Sequence, residues 1–170
     1  MASILGIDTI QHQSGTTAMT IDNSGRVNVA NVPRMSCYHS TDGTVNRSNG
    51  ESFFQSAVTF RHQTGITYSN DSNGRFTVPI GGVYFIHFQT IVYDRAVAYQ
   101  IKHNDTRIIV GYMQGDGKGW NYLDMSTTFT ASANDYFTIV LDSQSGGSGG
   151  HANGHGGIAH NTFDIMYIGG

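Results

Sequence analysis

The sequence contains few of the residues that favour helices. Its 170 residues include three leucines, two lysines and one glutamate, while glycine, β-branched and aromatic residues are abundant. Leu, Lys and Glu are good helix formers, whereas aromatic and β-branched side chains fit the pleated surface of a strand. The composition therefore argues against a helical protein and predicts an all-β one.

Charged residues are also scarce. Asp, Glu, Lys and Arg make up 12% of the chain, against roughly 25% in a typical soluble domain. The formal net charge is −3, and no two Lys or Arg residues are adjacent. Nucleic acids and anionic membranes are bound by clustered basic residues. We therefore expect neither nucleic acid nor membrane as a partner.

Cysteines and long apolar runs are nearly absent. The single cysteine, Cys37, cannot form an intramolecular disulfide, so we expect a small buried side chain there. The first residues lack a basic stretch followed by a long apolar one, so no secretory signal is expected. No apolar run approaches the ~20 residues of a membrane-spanning helix. We expect a soluble protein made in the cytoplasm.

The chain is predicted to have two unequal parts that meet near Pro33. In residues 1–34, the short patterns AMTID and RVNVA flank the turn Asn23-Ser24-Gly25 and predict a hairpin. A lone hairpin is marginal in water, so it needs another surface to lie on. We interpret this part as an attachment arm, with a frayed terminus as the alternative. Its candidate attachment residues are apolar: Ile4, Leu5, Ile7, Ile10, Met19, Ile21, Val27 and Val29.

Residues 35–170 carry stronger strand patterns. About nine short segments separated by turn clusters predict a β-sandwich or jelly roll. One of them is SFFQSAVTF, over residues 52–60. Another, Gly82–Tyr93, is largely apolar or aromatic on both faces, so we expect it to be covered on both sides. A second sheet would cover one face and another subunit the other, which makes oligomerisation a hypothesis.

The segment FTVPIGGVYFIHF resembles the globular head of the complement C1q family. The match is carried by Phe76, Gly82, Tyr84 and Phe88, which follow the spacing of that family's strand signature. Later segments resemble other motifs of the family in the same order: a hairpin turn after a lysine, a turn into the penultimate strand, and the closing strand. They are Gln100–Asp105, Ala131–Phe137 with Asn134 in place of a glycine, and Asn161–Ile168, which contains Phe163.

This resemblance has consequences for fold and function. It implies a ten-stranded jelly roll of the C1q and tumour-necrosis-factor type, formed by residues 35–170 and preceded by the short β arm. It also implies a compact homotrimer that binds other molecules and catalyses nothing.

A second resemblance lies in GTTAMTIDNSGRV, residues 15–27. This segment is similar to one that is common at the start of virion proteins of tailed bacteriophages, in which a short β-rich part docks onto the particle. It implies a location at the surface of the virion, with the major capsid protein or other virion proteins as partners. Because the chain has no shaft, we expect a capsid decoration protein of the cement or head-fibre kind. The alternative is a tail-fibre or spike tip that binds a host-surface glycan or protein.

Local signatures of catalysis are missing from the sequence. There is no H-E-x-x-H or P-loop pattern, and the sole glutamate, Glu51, lies in a polar turn region. The string GGSGG at residues 146–150 matches G-x-S-x-G only as part of a glycine-rich run, without the helical pattern that follows a nucleophile elbow. We therefore predict a protein that is not an enzyme and needs no cofactor. A free C1q-like lectin and a hydrolase are the less favoured interpretations.

Two further segments contain candidate contact residues. Trp120 and Tyr122 follow a glycine-rich stretch between two strands, where a core or interface role competes with a contact to a sugar or protein partner. His151, His155 and His160 lie in or beside the segment GGSGGHANGHGG, and imidazole is a common metal ligand. We favour a contact loop over a metal site, because the nearby glycines do not fix the rings.

Overall fold

The structure is a computed structural model. It describes residues 7–11, 13, 17–29, 31–40, 43–55, 58–93, 96–114, 119–144, 152–156 and 160–170. Over these ranges the chain forms strands and turns, as the composition predicts, and it contains no helix long and apolar enough to cross a membrane.

The chain divides into two compact units, Met1–Val32 and Pro33–Gly170. In the first unit, strands β1 (Thr9–Gln11), β2 (Thr17–Ile21) and β3 (Val27–Val29) form an antiparallel sheet in the order β1-β2-β3. The predicted hairpin is present as β2 and β3. Its turn is held by the Asp22 carboxylate, whose Oδ1 accepts the backbone N–H groups of Ser24 and Arg26 at 2.9 and 3.0 Å.

The second unit contains two sheets. The smaller has five strands, in the order β11-β10-β13-β8-β7, and the larger has seven, in the order β5-β14-β9-β15-β4-β6, with β12 paired to β9. The strands are β4 (Arg34–His39), β5 (Gly43–Arg47), β6 (Val58–Thr64), β7 (Thr67–Tyr68), β8 (Phe76–Thr77), β9 (Gly82–Tyr93), β10 (Val97–His103), β11 (Thr106–Met113), β12 (Trp120–Ala131), β13 (Tyr136–Gln144), β14 (Ala152–Gly156) and β15 (Asn161–Gly169).

The core lies between the inner faces of these sheets. Strand alternation directs Tyr84, Ile86 and Phe88 of β9 inward, and Phe137 and Ile139 of β13 face the same core; all five are fully buried.

The residues that carry the C1q resemblance lie in this core or at its edge. Phe76 and Phe163 are buried edge to face, with their ring centroids 4.9 Å apart. Gly82 has a φ of +145°, and a Cβ there would collide with the Tyr167 ring, so both backbone and packing require glycine.

The prediction of one strand over residues 52–60 is wrong. Strand β6 begins only at Val58, and Phe53 and Phe54 lie in a turn. Both rings are fully buried and pack edge to face at 4.9 Å. Successive side chains of a strand point to opposite faces, so a turn is what allows two adjacent rings to enter one core.

The connection before the last strand also differs from the predicted loop. It contains strand β14, which pairs antiparallel with β5, and Gly154 of β14 also pairs with Val92 of β9. Glycines carry no β-branched or aromatic signal, so the sequence pattern gave no indication of this strand.

The single cysteine lies where the sequence predicts. Cys37 is fully buried in β4, and burial raises the pKa of its thiol well above the ordinary range. The thiol therefore stays protonated at neutral pH and behaves as a small apolar side chain.

Candidate functional site

The outward side of the seven-stranded sheet is the main candidate site, and we call it the outer face. It consists of alternate residues of strands β9, β12, β15 and β4. Its central members are Phe85, His87, Gln89, Ile91, Trp120, Tyr122, Asp124, Asp164 and Met166. We predict that both faces of β9 are covered. Within a single chain, this is true of the face that points into the core. The even-numbered residues Tyr84–Val92 are buried. On the other side of the strand Ile91 is also buried, whereas Phe85, His87 and Gln89 are half-buried.

Two aromatic residues stand at one end of the outer face. Strand β12 alternates inward and outward, so Leu123 and Met125 face the core while Trp120 and Tyr122 face away from it. Trp120 is 46% exposed and Tyr122 is 64% exposed. The structure thus places both residues on the surface of the single chain and not in its core.

An apolar groove crosses the other end of the outer face. The strand registers align Phe85, Met166 and Arg34 as one cross-strand row. A groove of about 260 Å³ lies here, with Phe85 and Met166 among its lining residues and Arg34 and His62 contributing polar side chains. Met166 is substantially exposed.

Between these two apolar regions lies an ionic cluster. His87 of β9 has Nδ1 3.0 Å from Oδ2 of Asp164 on β15 and Nε2 3.1 Å from Oδ2 of Asp124 on β12. Burial disfavours the charged imidazole, but the two carboxylates outweigh this effect and raise the pKa of His87. A protonated ring can donate from both nitrogens, which is what two carboxylates require.

This cluster is suited to holding side chains in place and not to nucleophilic chemistry. Both ring nitrogens of His87 are already engaged by carboxylates, so neither is available to accept a proton from a nucleophile. Within the described ranges, no group of three or more His, Cys, Asp or Glu side chains could hold a metal ion. The arrangement offers apolar area and fixed charge for recognition.

Sequence reasoning identified part of the outer face. It predicted that β9 carries apolar and aromatic residues on both faces, and it selected Trp120 and Tyr122. It missed Asp124, Asp164 and Met166, which come from distant parts of the chain. Their contribution depends on the register of β12 and β15 against β9, and strand alternation alone does not fix that register.

The structure tests the histidine hypothesis only in part. His160 is half-buried just before β15, and its carbonyl oxygen accepts the Ile91 N–H at 3.1 Å. His151 and the side chain of His155 lie outside the described residues. Neither the favoured contact loop nor the alternative metal site at these three positions is tested, and both stay predictions.

Six of the eight candidate attachment residues lie among the described residues of the first unit. The strand registers place Ile10, Met19 and Val29 in one cross-strand row and Ile21 opposite Val27. These side chains share one face of the three-stranded sheet. Ile7, Ile10, Val27 and Val29 are exposed, and Ile4 and Leu5 lie outside the described residues.

Comparisons with known proteins add the fold family. No protein-family model and no curated protein matches the chain. Among solved structures, Eiger TNF from S. frugiperda is similar with a TM-score of 0.65 and 11% identity over 81% of this chain and 92% of that one. The globular domain of zebrafish complement 1qA has a TM-score of 0.61 and 13% identity, over 81% of this chain and 97% of that one. Murine APRIL at pH 5.0 has a TM-score of 0.57 and 8% identity, over 81% of this chain and 99% of that one. At these identities the likeness shows the fold alone, a C1q/TNF-like jelly roll.

Proposed function

We propose that this chain is a homotrimeric, non-catalytic structural protein of a bacteriophage virion. Residues 33–170 form the trimer through their outer faces, and the N-terminal arm fastens the trimer to the particle as a capsid decoration protein. The main support for a trimer is the outer face, where half-buried and exposed apolar residues surround an ionic cluster.

The composition of the outer face supports self-association. Phe85, Met166 and Trp120 present apolar area that one chain leaves open to water. The carboxylates of Asp124 and Asp164 are both hydrogen-bonded to His87, and a protonated His87 ring neutralises one of their two negative charges before a contact forms. The C1q resemblance, which implies a homotrimer, favours copies of the same chain as the occupant.

The arm supports attachment to a larger surface. Over the residues that the structure describes, the arm is a three-stranded sheet on which Ile10, Val27 and Val29 are exposed, so it buries little apolar area. Its sequence resembles the docking segment of tailed-phage virion proteins, which favours the major capsid protein or another virion protein as the surface that covers it. A tail-fibre or spike tip that binds a host-surface glycan or protein is the second candidate, and the exposed Trp120 and Tyr122 favour it.

Two variants test the two halves of the proposal. Removing residues 1–30 is expected to leave a folded trimer by light scattering and to abolish co-sedimentation with particles that lack the protein. Decoration that persists without the arm would contradict the attachment role.

Met166→Lys is expected to yield folded monomers, because a trimer contact would bury unpaired ammonium groups. The matched control is Tyr112→Lys, an exposed aromatic residue on β11 of the other sheet, which should stay trimeric. A trimer that tolerates Met166→Lys would refute the outer face as the contact.

A further inference from the structure

The ionic cluster of the outer face lies where the proposed trimer contact would cover it. The His87 side chain is 22% exposed, that of Asp164 27% and that of Asp124 60%, so a single chain leaves part of both carboxylates in water. Exposed apolar residues flank the cluster, with Trp120 towards one end and Met166 towards the other. A second chain that packs on these apolar residues therefore removes water from the cluster as well.

The charge of the cluster depends on one proton. The two ring nitrogens of His87 lie 3.0 Å from Oδ2 of Asp164 and 3.1 Å from Oδ2 of Asp124. A neutral imidazole has one N–H and can donate to one of these carboxylates, whereas a protonated imidazole donates to both. The net charge of the cluster is thus −1 with a protonated ring and −2 with a neutral ring.

Two further charged or titratable side chains face the cluster from β4 and β6. Arg34 and His62 line the apolar groove together with Asp164. Among the described residues, however, the ion pairs of Asp124 and Asp164 are those with His87. Arginine keeps its charge in a folded protein, so the histidines are the groups of this face whose charge changes near neutral pH. His62 therefore serves as the control for His87.

A third basic side chain on this side of the sheet is engaged with other partners. Arg61 of β6 donates to the Thr162 hydroxyl at 3.0 Å, and its guanidinium lies over the Tyr38 ring, 5.4 Å from the centroid. Thr162 precedes Asp164 by two residues on β15. Arg61 contributes a constant positive charge beside the cluster and does not alter its dependence on pH.

We infer that His87 is a proton-controlled switch of the trimer, whose chains associate more tightly when this ring is protonated than when it is neutral. The inference rests on the proposed trimer contact at the outer face and adds its regulation. Each chain brings the carboxylates of Asp124 and Asp164 to that contact. Like charges repel more strongly once water is removed, and a carboxylate buried without a cationic partner is costly.

The direction of the pH dependence follows from the partners of His87. Burial lowers the pKa of His87, but the hydrogen bonds and charges of Asp164 and Asp124 outweigh burial and raise it. Removal of water by a second chain strengthens the attraction of both carboxylates for the proton, so the pKa is higher in the trimer than in the separate chain. The stabilisation of the trimer is complete below the pKa of the separate chain and is lost as the pH rises through the pKa of the trimer.

The test measures the trimer–monomer equilibrium of the full chain by sedimentation equilibrium between about pH 6 and about pH 9. Each chain releases a proton on dissociation within this range, so the protein concentration at which half of the trimer has dissociated should rise at least about tenfold. Exchange of subunits between unlabelled and isotope-labelled trimers, followed by native mass spectrometry, gives a second measurement for a trimer too tight to dissociate on dilution. The exchange should be faster at the higher pH.

Three variants separate His87 from other causes of pH dependence. His87→Gln keeps both carboxylates without a titratable ring, so it should associate weakly at both ends of the range. The double variant Asp124→Asn with Asp164→Asn leaves a protonated ring without a counter-charge, so its trimer should be weaker at the lower pH, the reverse of the parent. His62→Gln is the matched control on the same face and should keep the pH dependence of the parent.

The outcomes distinguish this inference from the proposed trimer. A trimer whose association does not change with pH overturns the inference and leaves the trimer standing. The same holds if the pH dependence survives His87→Gln, if it disappears in His62→Gln, or if the double Asn variant keeps the sign of the parent. A folded chain that is monomeric at every pH overturns both. Circular dichroism at each pH identifies the variants that are folded.

Discussion

At the scale of single residues, the left-handed backbone positions that are not glycine are occupied only by Asn and Asp within the described ranges. Asn104 and Asp105 have φ values of 45° and 64° in the β10–β11 turn, and Asn134 has 70° in the turn before β13. Asn and Asp adopt this conformation more readily than other residues with a Cβ. Asn134 stands where the resembling C1q motif has a glycine, and its positive φ explains why an Asn can occupy that turn position.

The two turns are also tied to each other by one carboxylate. Asp135 Oδ1 accepts the side-chain amide of Asn104 at 2.7 Å, and Oδ2 accepts the Ser132 N–H at 2.7 Å. His103 Nε2 lies 2.8 Å from the same Oδ2. The Asn104 hydrogen bond is the main cause that lowers the pKa of Asp135, so this carboxylate stays ionised and keeps both turns together.

Substitution of Asn134 tests the backbone requirement. Asn134 is exposed and has a φ of 70°, so Asn134→Ala should lower the free energy of unfolding by about 1 kcal/mol, the cost of a left-handed position for a residue with a Cβ. Asn134→Gly should show no such loss, because glycine adopts positive φ without strain. Denaturant unfolding measures both. Equal stabilities for the Ala and Gly variants would contradict the role of the backbone.

Residue-level prediction succeeded where one residue type has one physical use. Gly82 and Phe163 were selected from the sequence, and the structure explains both by backbone conformation and burial. It failed for Asp124 and Asp164, because a single aspartate on a strand has no pattern that reveals its partner on a neighbouring strand.

At the scale of structural elements, the turn formed by residues 50–54 holds the two sheets together. The buried Arg47 guanidinium donates from Nε to the Ser52 carbonyl at 2.8 Å and from Nη2 to the Phe53 carbonyl at 2.9 Å. The Tyr68 hydroxyl donates to the Phe54 carbonyl. These bonds satisfy backbone groups that a strand would pair, and they allow both Phe rings to fill the core.

The loop that ends at Gly74 packs against the 50–54 turn. A Cβ at this glycine would lie 2.6 Å from the Phe54 carbonyl oxygen, and its φ is +55°. Gly74→Ala should therefore cost roughly 1–3 kcal/mol beyond the backbone strain, as overpacking against a fixed backbone does. Thermal and denaturant unfolding measure the loss.

Gly50→Ala is the matched control for this prediction. Gly50 also has a positive φ, of +87°, but nothing lies within 4 Å of its Cβ position. It reports the cost of the backbone conformation without the clash. If both variants lost the same stability, the loop would not pack against the 50–54 turn as described.

At the level of structural elements, the sequence predicted the strands whose residue pattern is strong. Strands β9 and β15 are long and rich in aromatic and β-branched residues, and the sequence analysis identified both. Strand β14 and the 50–54 turn were missed. Glycine carries no strand signal, and the apolar run containing Phe53 and Phe54 has the same composition whether it forms a strand or a buried turn.

At the scale of the whole molecule, the two sheets of the second unit present different surfaces. The seven-stranded sheet has exposed Trp120 and Met166 around an ionic cluster, and the five-stranded sheet has a small polar cavity beside Thr138. An assembly that covers the first leaves the second accessible. The sequence predicted the fold through the C1q resemblance. It could not predict either surface in detail, because each one combines residues from strands far apart in the chain.

Two histidines make the stability of the whole molecule depend on pH in opposite directions. Burial and the neighbouring Arg47 guanidinium lower the pKa of His39 to about 4. Nε2 of the His39 ring lies 3.0 Å from Arg47 Nη2, and a neutral ring can accept a hydrogen bond from this guanidinium. The unfolded chain binds this proton near pH 6.5 and the folded chain does not, so stability falls as the pH drops from 6.5 towards 4.

His87 has the opposite sign, because Asp164 and Asp124 raise its pKa above 6.5 in the folded state. Its contribution is complete below pH 6.5 and is lost as the pH rises through the raised folded value. Stability should therefore be greatest near pH 6.5, and denaturant unfolding at fixed protein concentration across this range measures the profile. His87→Gln should remove the loss of stability at alkaline pH and leave the loss at acid pH. An unchanged loss at alkaline pH would show that the ionic cluster does not raise the pKa of His87 in the folded state.

The pKa of Asp135 is lowered from 3.8 in the folded state, so its effect on stability falls below the range between pH 6.5 and 4. The loss of stability in that range therefore reports on His39 and not on Asp135.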